Sequence, residues 1–161
     1  MSLDFAAVHR RIADILTAID SPQFTVIHGN PIALPVDGSP FVAYWYEGHT
    51  DPPEGGMTLG HRMNAFRYGI RCFWHRQPEA VLQENFQVDM ATADQAIRTA
   101  FAADFTLDGN VTYALIEDGE PPDPAGFFPL QTLSGGAPAR FYYTLDFGLV
   151  VADLEGETLS A

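Results

Sequence analysis

Between residues 64 and 76 the chain reads N-A-F-R-Y-G-I-R-C-F-W-H-R, alternating residue by residue. Phe66, Tyr68, Ile70, Cys72 and Trp74 fall on one face of a predicted strand, and Arg67, Gly69, Arg71, Phe73 and His75 on the other. The same period of two runs through R-F-Y-Y-T-L-D-F-G-L-V-V at 140–151, where Phe141, Tyr143, Leu145, Phe147, Leu149 and Val151 share a face. F-V-A-Y-W-Y at 41–46 is rich in aromatic and β-branched residues and predicts a third strand. Shorter strands are expected at 24–28 and 111–117.

Two segments carry the helical period instead. Over residues 3–19, Val8, Ile12, Ile15, Leu16 and Ile19 form one stripe, with Arg10, Arg11 and Asp14 off it, and Asp20-Ser21-Pro22 ends the helix. Pro78-Glu79 opens the second, in which Leu82, Phe86, Ala93, Ile97, Ala100 and Phe101 keep the spacing through Asp104. Thr92-x-x-Gln95 fits a capping box, so two helices broken near 89–91 are the alternative to one long, kinked helix.

Helix, strands, helix, strands predict one α+β domain over 1–161: a mostly antiparallel sheet of four to five strands with two helices on one face. Two Gly/Pro-rich arms interrupt it, at 47–62 and 118–139, and the acidic tail 152–161 is expected to fray. The outer sheet face, with Phe73, Tyr142, Val150 and the arginines, is too apolar for bare solvent and too charged for a closed core. It suits contact with another subunit.

Charge narrows the function. The chain has 8 Lys plus Arg, all of them arginine, against 21 Asp plus Glu, a formal net charge of −13. Nucleic-acid binding needs clustered cations to displace counterions and is therefore disfavoured. General solubility is the plain reading of the acidity, and a surface near DNA that must not hold it is the sharper one. No apolar run reaches the ~18 residues of a membrane span. The first residues lack a secretion signal, and a lone Cys72 fits a reducing compartment.

Candidate chemistry is thin. Cys72 and His75 lie three apart, on opposite faces of a strand, which spoils a nucleophile–base or metal pair. His49, Asp51, Glu54 and His61 could ligate a metal, but their Gly/Pro loop offers little support for fixed ligands. Asp118, Glu120 and Asp123 stand among prolines, unlike a calcium loop. No G-x-S-x-G, Walker or dinucleotide fingerprint is present, and the expectation is no enzyme, metal or cofactor. Arg67 and Arg71 have two readings: stems lying flat on an exposed sheet, or guanidiniums paired with carboxylates of a neighbouring subunit.

The order of elements, with a long helix running into A-A-D-F-T-L-D-G-N-V-T-Y-A-L-I at 102–116, resembles the small tail proteins of long-tailed bacteriophages and gene transfer agents. The motif is Thr106-Leu107-Asp108-Gly109-Asn110-Val111, and the nearest group is the tail terminators, similar to minor tail protein U. The resemblance implies a virion protein, assembled in the host cytoplasm. Its copies would form a ring, a hexamer, on the head-proximal end of the tail tube. Tail tube protein and head–tail connector would be its partners, and DNA would pass through without specific binding. No catalytic residue carries over. Subunit or partner contacts are expected at Arg67, Arg71, Phe73, Arg140 and Tyr142, and in the arms at His49, Asp51, Glu54, Met57, Phe127 and Phe128. The alternatives are a head–tail connector or stopper, a small-ligand-binding α+β domain, and a hydrolase of unrecognised type.

Overall fold

The computed structural model describes residues 3–29, 33–34, 40–50, 57–58, 61–75, 80–117, 128–132 and 140–156. In chain order these form α1 (Phe5–Thr17), β1 (Thr25–His28), β2 (Ala33–Leu34), β3 (Phe41–Thr50), β4 (Met57–Thr58) and β5 (His61–His75). α2 (Ala80–Ala103), β6 (Tyr113–Ile116), β7 (Phe128–Thr132) and β8 (Arg140–Gly156) follow. The fold is α+β.

The sheet runs β1-β3-β5-β8, and a fifth position on the far side of β8 is shared. β6 takes one end of it, against Leu149–Ala152, and β7 the other, against Arg140–Tyr142. β1 lies parallel to β3, and β3, β5, β8 and the two outer pieces are antiparallel to their neighbours. The two-residue strands β2 and β4 add to β7 and β5.

Strand alternation builds the core. Val42 and Tyr44 of β3, Tyr68, Ile70, Cys72 and Trp74 of β5, and Leu145, Phe147, Leu149 and Val151 of β8 are buried in one cluster. Val8, Ile12, Ile15 and Leu16 of α1 belong to that cluster, as do Met90, Ala93, Ile97 and Phe101 of α2. Each large aliphatic side chain or phenylalanine among them contributes about 1.5–3 kcal/mol on leaving water. Burial pushes the Cys72 thiol well above its ordinary pKa, which leaves it an inert core residue.

Helix ends follow local chemistry. The Asp4 carboxylate accepts the Ala7 N–H at 3.1 Å and caps α1. α2 is one uninterrupted helix of 24 residues. The Thr92 hydroxyl donates back to the Val88 carbonyl at 2.9 Å, so it serves the helix interior and caps no second helix. Beyond α2 the motif at 106–111 is a tight turn in which Leu107, Asp108 and Gly109 all take positive φ (48°, 58° and 78°). For the two non-glycine residues this costs about 1–2 kcal/mol each. The turn is held by buried Leu107 and by Thr106, whose hydroxyl accepts the Gly109 N–H at 3.2 Å. Asp104 holds it as well, accepting the Asp108 N–H at 2.9 Å and Arg11 Nε of α1 at 2.6 Å.

Three boundaries differ from the sequence reading. β3 continues to Thr50 through a bulge at Tyr46/Gly48, where Gly48 takes φ +108°, so the first arm begins later than residue 47. β7 lies within the second arm, paired to the start of β8. β8 reaches Gly156, since Ala152–Gly156 pair with Ala65–His61 of β5 in place of fraying. The remaining arm and tail residues, 51–56, 59–60, 118–127, 133–139 and 157–161, lie outside the described ones.

Two predictions come from these contacts. Partial burial opposes ionisation of Asp104, but the Asp108 N–H and Arg11 outweigh it and hold the carboxyl below its ordinary value. Its contribution is present above that ordinary value and lost as pH falls through the lowered one. Asp104→Ala should reduce the melting temperature by about 2–4 °C at neutral pH, and Asp104→Asn, which keeps an acceptor, by less.

The second concerns His9, whose ring stands edge-to-face on His28 at 5.1 Å and on Tyr68 at 5.2 Å, while His28 stacks on Tyr44 at 4.9 Å. The buried His9 Nε2 has no hydrogen-bond partner among the described residues. Burial first, and His28 second, lower the His9 pKa from its ordinary 6.5. A depressed histidine favours folding fully above the ordinary value and progressively less as pH drops through it. Denaturant midpoints between about pH 8 and pH 5 should fall toward acid, and His9→Phe should flatten that slope.

Candidate functional site

The face of the sheet turned from the main core is fixed by the same registers. Ala43, Arg71 and Asp146 lie side by side across β3, β5 and β8; next to them lie Trp45, Gly69 and Gly148, and on the other side Phe41, Phe73 and Thr144. Beyond the bulge, Gly48 opposes Arg67, and Glu47 is the extra residue with no cross-strand partner. Glu117, just past β6, donates its N–H to the Gly148 carbonyl at 2.8 Å, which brings its side chain over β8.

These placements create two linked ion-pair groups. Arg67 bridges strands: its Nη1 donates to Glu47, and its Nε to Glu117 Oε2 at 3.0 Å. Arg71 meets Asp146 through two parallel bonds, Nε–Oδ1 at 2.6 Å and Nη2–Oδ2 at 3.1 Å. Its guanidinium carbon sits 5.8 Å from the centre of the Trp45 indole. Partial burial opposes the Arg67 charge, but Glu117 and Glu47 more than compensate and raise its pKa.

The glycines are the floor on which these side chains lie. A Cβ on Gly69 would stand 2.5 Å from the Trp45 ring and from Glu47 Oε1. One on Gly148 would stand 2.5 Å from Arg67 Nη2 and from Glu117 Oε2. No ordinary van der Waals contact is that short, so only glycine lets the groups lie against the strands.

Together these residues line a cleft of about 320 Å³. Ile70 and Phe147 contribute to it, as does Arg98 of α2, which pairs with Asp94 at 3.2 Å and covers the Phe147 ring. The network is open to water, with side-chain exposures of 52% at Asp146, 38% at Arg67 and 37% at Glu117. At such exposure each pair adds at most ~1 kcal/mol to stability. On the sheet face itself three carboxylates meet two guanidiniums, leaving one negative charge in excess. Guanidiniums, carboxylates and an indole on a rigid sheet form a surface suited to recognising a charged or planar group.

Of the expected contact residues, Arg67 and Arg71 belong to this site, but their carboxylates come from the same chain. Within the chain, Glu47, Asp146 and Glu117 already pair with them, placed there by β3, β8 and the end of β6. The expectation at Phe73 is corrected. It is fully buried with Phe41 and Ala43, against Ile27 and Trp45, and presents nothing to a partner. A second small cluster, Ala65, Val150 and Ala152 under Tyr113, flanks the cleft at its other end. His49 is exposed, with its ring 4.7 Å from the Phe66 ring. Arg140 and Tyr142 pair through their backbones with Leu130 and Phe128 of β7, and Met57 pairs with Arg62. Asp51, Glu54 and Phe127 lie outside the described residues.

Sequence reasoning missed Glu47, Glu117, Asp146 and Trp45 as partners of the arginines. One signal was available. Arg67-x-Gly69-x-Arg71 and Asp146-x-Gly148 each place a glycine two residues from a charge, on the same face of a strand. No protein-family model and no curated protein matches this chain.

The glycine floor gives a direct prediction. Gly69→Ala must displace the Trp45 indole and should destabilise the domain by about 1–3 kcal/mol in denaturant unfolding, with altered near-ultraviolet dichroism. Gly148→Ala meets only the mobile ends of Arg67 and Glu117 and should cost less. Equal, negligible effects of both would show that the side chains do not lie on the glycines.

Proposed function

We propose that this chain is a structural subunit of a phage-type tail, a tail terminator. Its copies close into a ring at the head-proximal end of the tail tube and join the tube to the head connector. The observation that carries the reading is the character of the second sheet face. An exposed network of arginines and carboxylates lies there between two small apolar clusters, which is the make-up of a polar protein–protein interface. The element order and the turn at Thr106–Val111 support the same reading.

In this role the chain carries out assembly, not catalysis. Its partners are its own copies, six in a closed ring, the tail tube protein and the head–tail connector. It resides in the virion, at the tail end nearest the head. Because Arg67 and Arg71 are neutralised within the chain, they stiffen the interface, and the surplus acid of the chain faces water, partners or the channel. An acidic channel wall lets DNA pass without the counterion release that would retain it. The cleft of about 320 Å³ favours a small-ligand-binding domain as the second reading, since it reaches the lower end of ligand-pocket sizes.

Native mass spectrometry of the purified chain, alone and on isolated tail tubes, tests the proposal. A closed ring is expected on the tubes, and a hexamer is the expected size. A chain that stays monomeric in both settings would overturn it.

A further inference from the structure

Phe147 and Gly148 are neighbours on β8, so their positions face opposite sides of the sheet. The Phe147 ring belongs to the main core, and Gly148 lies beneath Arg67 and Glu117 on the outer face. The cleft is lined by both residues and so reaches both sides of the strand at this point. Its charged lining takes Arg67, Arg71, Glu47, Glu117 and Asp146 from the outer face, and Arg98 from α2. Three guanidiniums and three carboxylates line it, and their formal charges cancel.

The charges are not evenly spread. Glu47 and Glu117 both pair with Arg67, so that group carries one negative charge in excess. Arg71 and Asp146 cancel each other. Arg98 has its guanidinium carbon 5.6 Å from the centre of the Phe147 ring, and its ion-pair partner Asp94 is not among the lining residues. The cleft is therefore neutral as a whole, acidic toward Gly148 and basic toward Phe147. The bond from Arg67 Nε engages Oε2 of Glu117, and Oε1 can accept a further donor. A guanidinium carries five N–H donors and can likewise serve a second acceptor. Trp45 and Phe147 supply apolar wall beside the charges.

We infer that this cleft binds a small zwitterion of amino-acid or dipeptide size, its ammonium set against Glu117 and Glu47 and its carboxylate against Arg98. A guest with one charge satisfies one end and leaves the opposite charge of the cleft partly desolvated without a partner. A dipolar guest meets both ends, and each contact is a charge-assisted hydrogen bond. A volume of about 320 Å³ limits the guest to a small molecule. The registers of β3, β5 and β8 hold the acidic end in place, and α2 holds the basic one, so neither has to form when the guest arrives. The inference rests on the ligand-binding reading given second above, and it does not depend on ring formation.

The test titrates the full chain with four probes, followed by heteronuclear NMR. Leucine and glycylleucine are zwitterions with different charge separations, leucinamide keeps only the ammonium, and N-acetylleucine keeps only the carboxylate. At least one zwitterion should bind about tenfold or more tightly than either singly charged analogue. The amide signals of Gly69 and Gly148 and the indole N–H of Trp45 should shift on binding. Glu117→Gln should narrow the preference over N-acetylleucine, and Arg98→Gln the preference over leucinamide. A singly charged analogue that bound this cleft as tightly as both zwitterions would overturn the inference and leave the ligand-binding reading standing. Shifts confined to residues outside the cleft would overturn the inference as well, and binding by none of the four would overturn both.

Discussion

The register between β5 and β8 is the constraint from which most of this molecule follows. Fifteen consecutive pairs, from His61 opposite Gly156 to His75 opposite Tyr142, lock two long central strands together. Because side chains alternate, a slip of one residue would turn Tyr68, Ile70 and Cys72 outward and drive Arg67 and Arg71 into the core. Several buried side chains at about 1.5–3 kcal/mol each oppose that slip, as does the cost of desolvating two guanidiniums. The same register sets Arg71 beside Asp146 and Gly69 beside Gly148. The core on one face and the charged cleft on the other are thus one decision of strand pairing.

That decision explains which features were legible in the chain. The period of two in residues 64–76 and 140–151 and the stripe Val8–Ile12–Ile15–Leu16 are local patterns, and they identified the central strands, α1 and the buried faces. The extent of β3 and β8 was not local. Glu47–Thr50 and Asp153–Gly156 look like loop and tail in composition, yet both are strand because β5 offers them a ladder. Thr92 shows the opposite limit: its spacing to Gln95 suits a cap, but packing of α2 keeps the helix whole and turns the hydroxyl to Val88. The site was half legible. Its arginines stood out in a chain poor in cations, while their partners come from 20 to 75 residues away and depend on register and on the bulge at Tyr46/Gly48.

In-chain pairing also changes the meaning of the acidity. Arg11, Arg67, Arg71 and Arg98 each bind a carboxylate of their own chain, and these four are half of the eight cations. Little positive charge is left among them to offer a neighbour, so the proposed contacts between copies would rest on shape, apolar area and hydrogen bonds more than on long-range attraction. Association of like-charged copies is slowed by repulsion and favoured by a template that holds them in place. On the function proposed above, a chain of this kind would assemble on a pre-existing end more readily than polymerise spontaneously in solution.

The glycines then connect charge to rigidity. A surface ion pair is weak because two long side chains lose rotamer freedom to make it. Here the loss is partly built in: Arg67 lies against Gly148 and the Trp45 ring against Gly69, so their conformations are restricted by the backbone beneath them. Arg67 and Glu117 then tie β5 to the chain leaving β6. The network consequently holds the outer face of β5, β8 and the end of β6 in one arrangement, with Asp146 fixed by its two bonds to Arg71. A charged face held in strand geometry by a fifteen-pair ladder, with its long side chains already restricted, has little ordering left to do when a ligand or partner meets it.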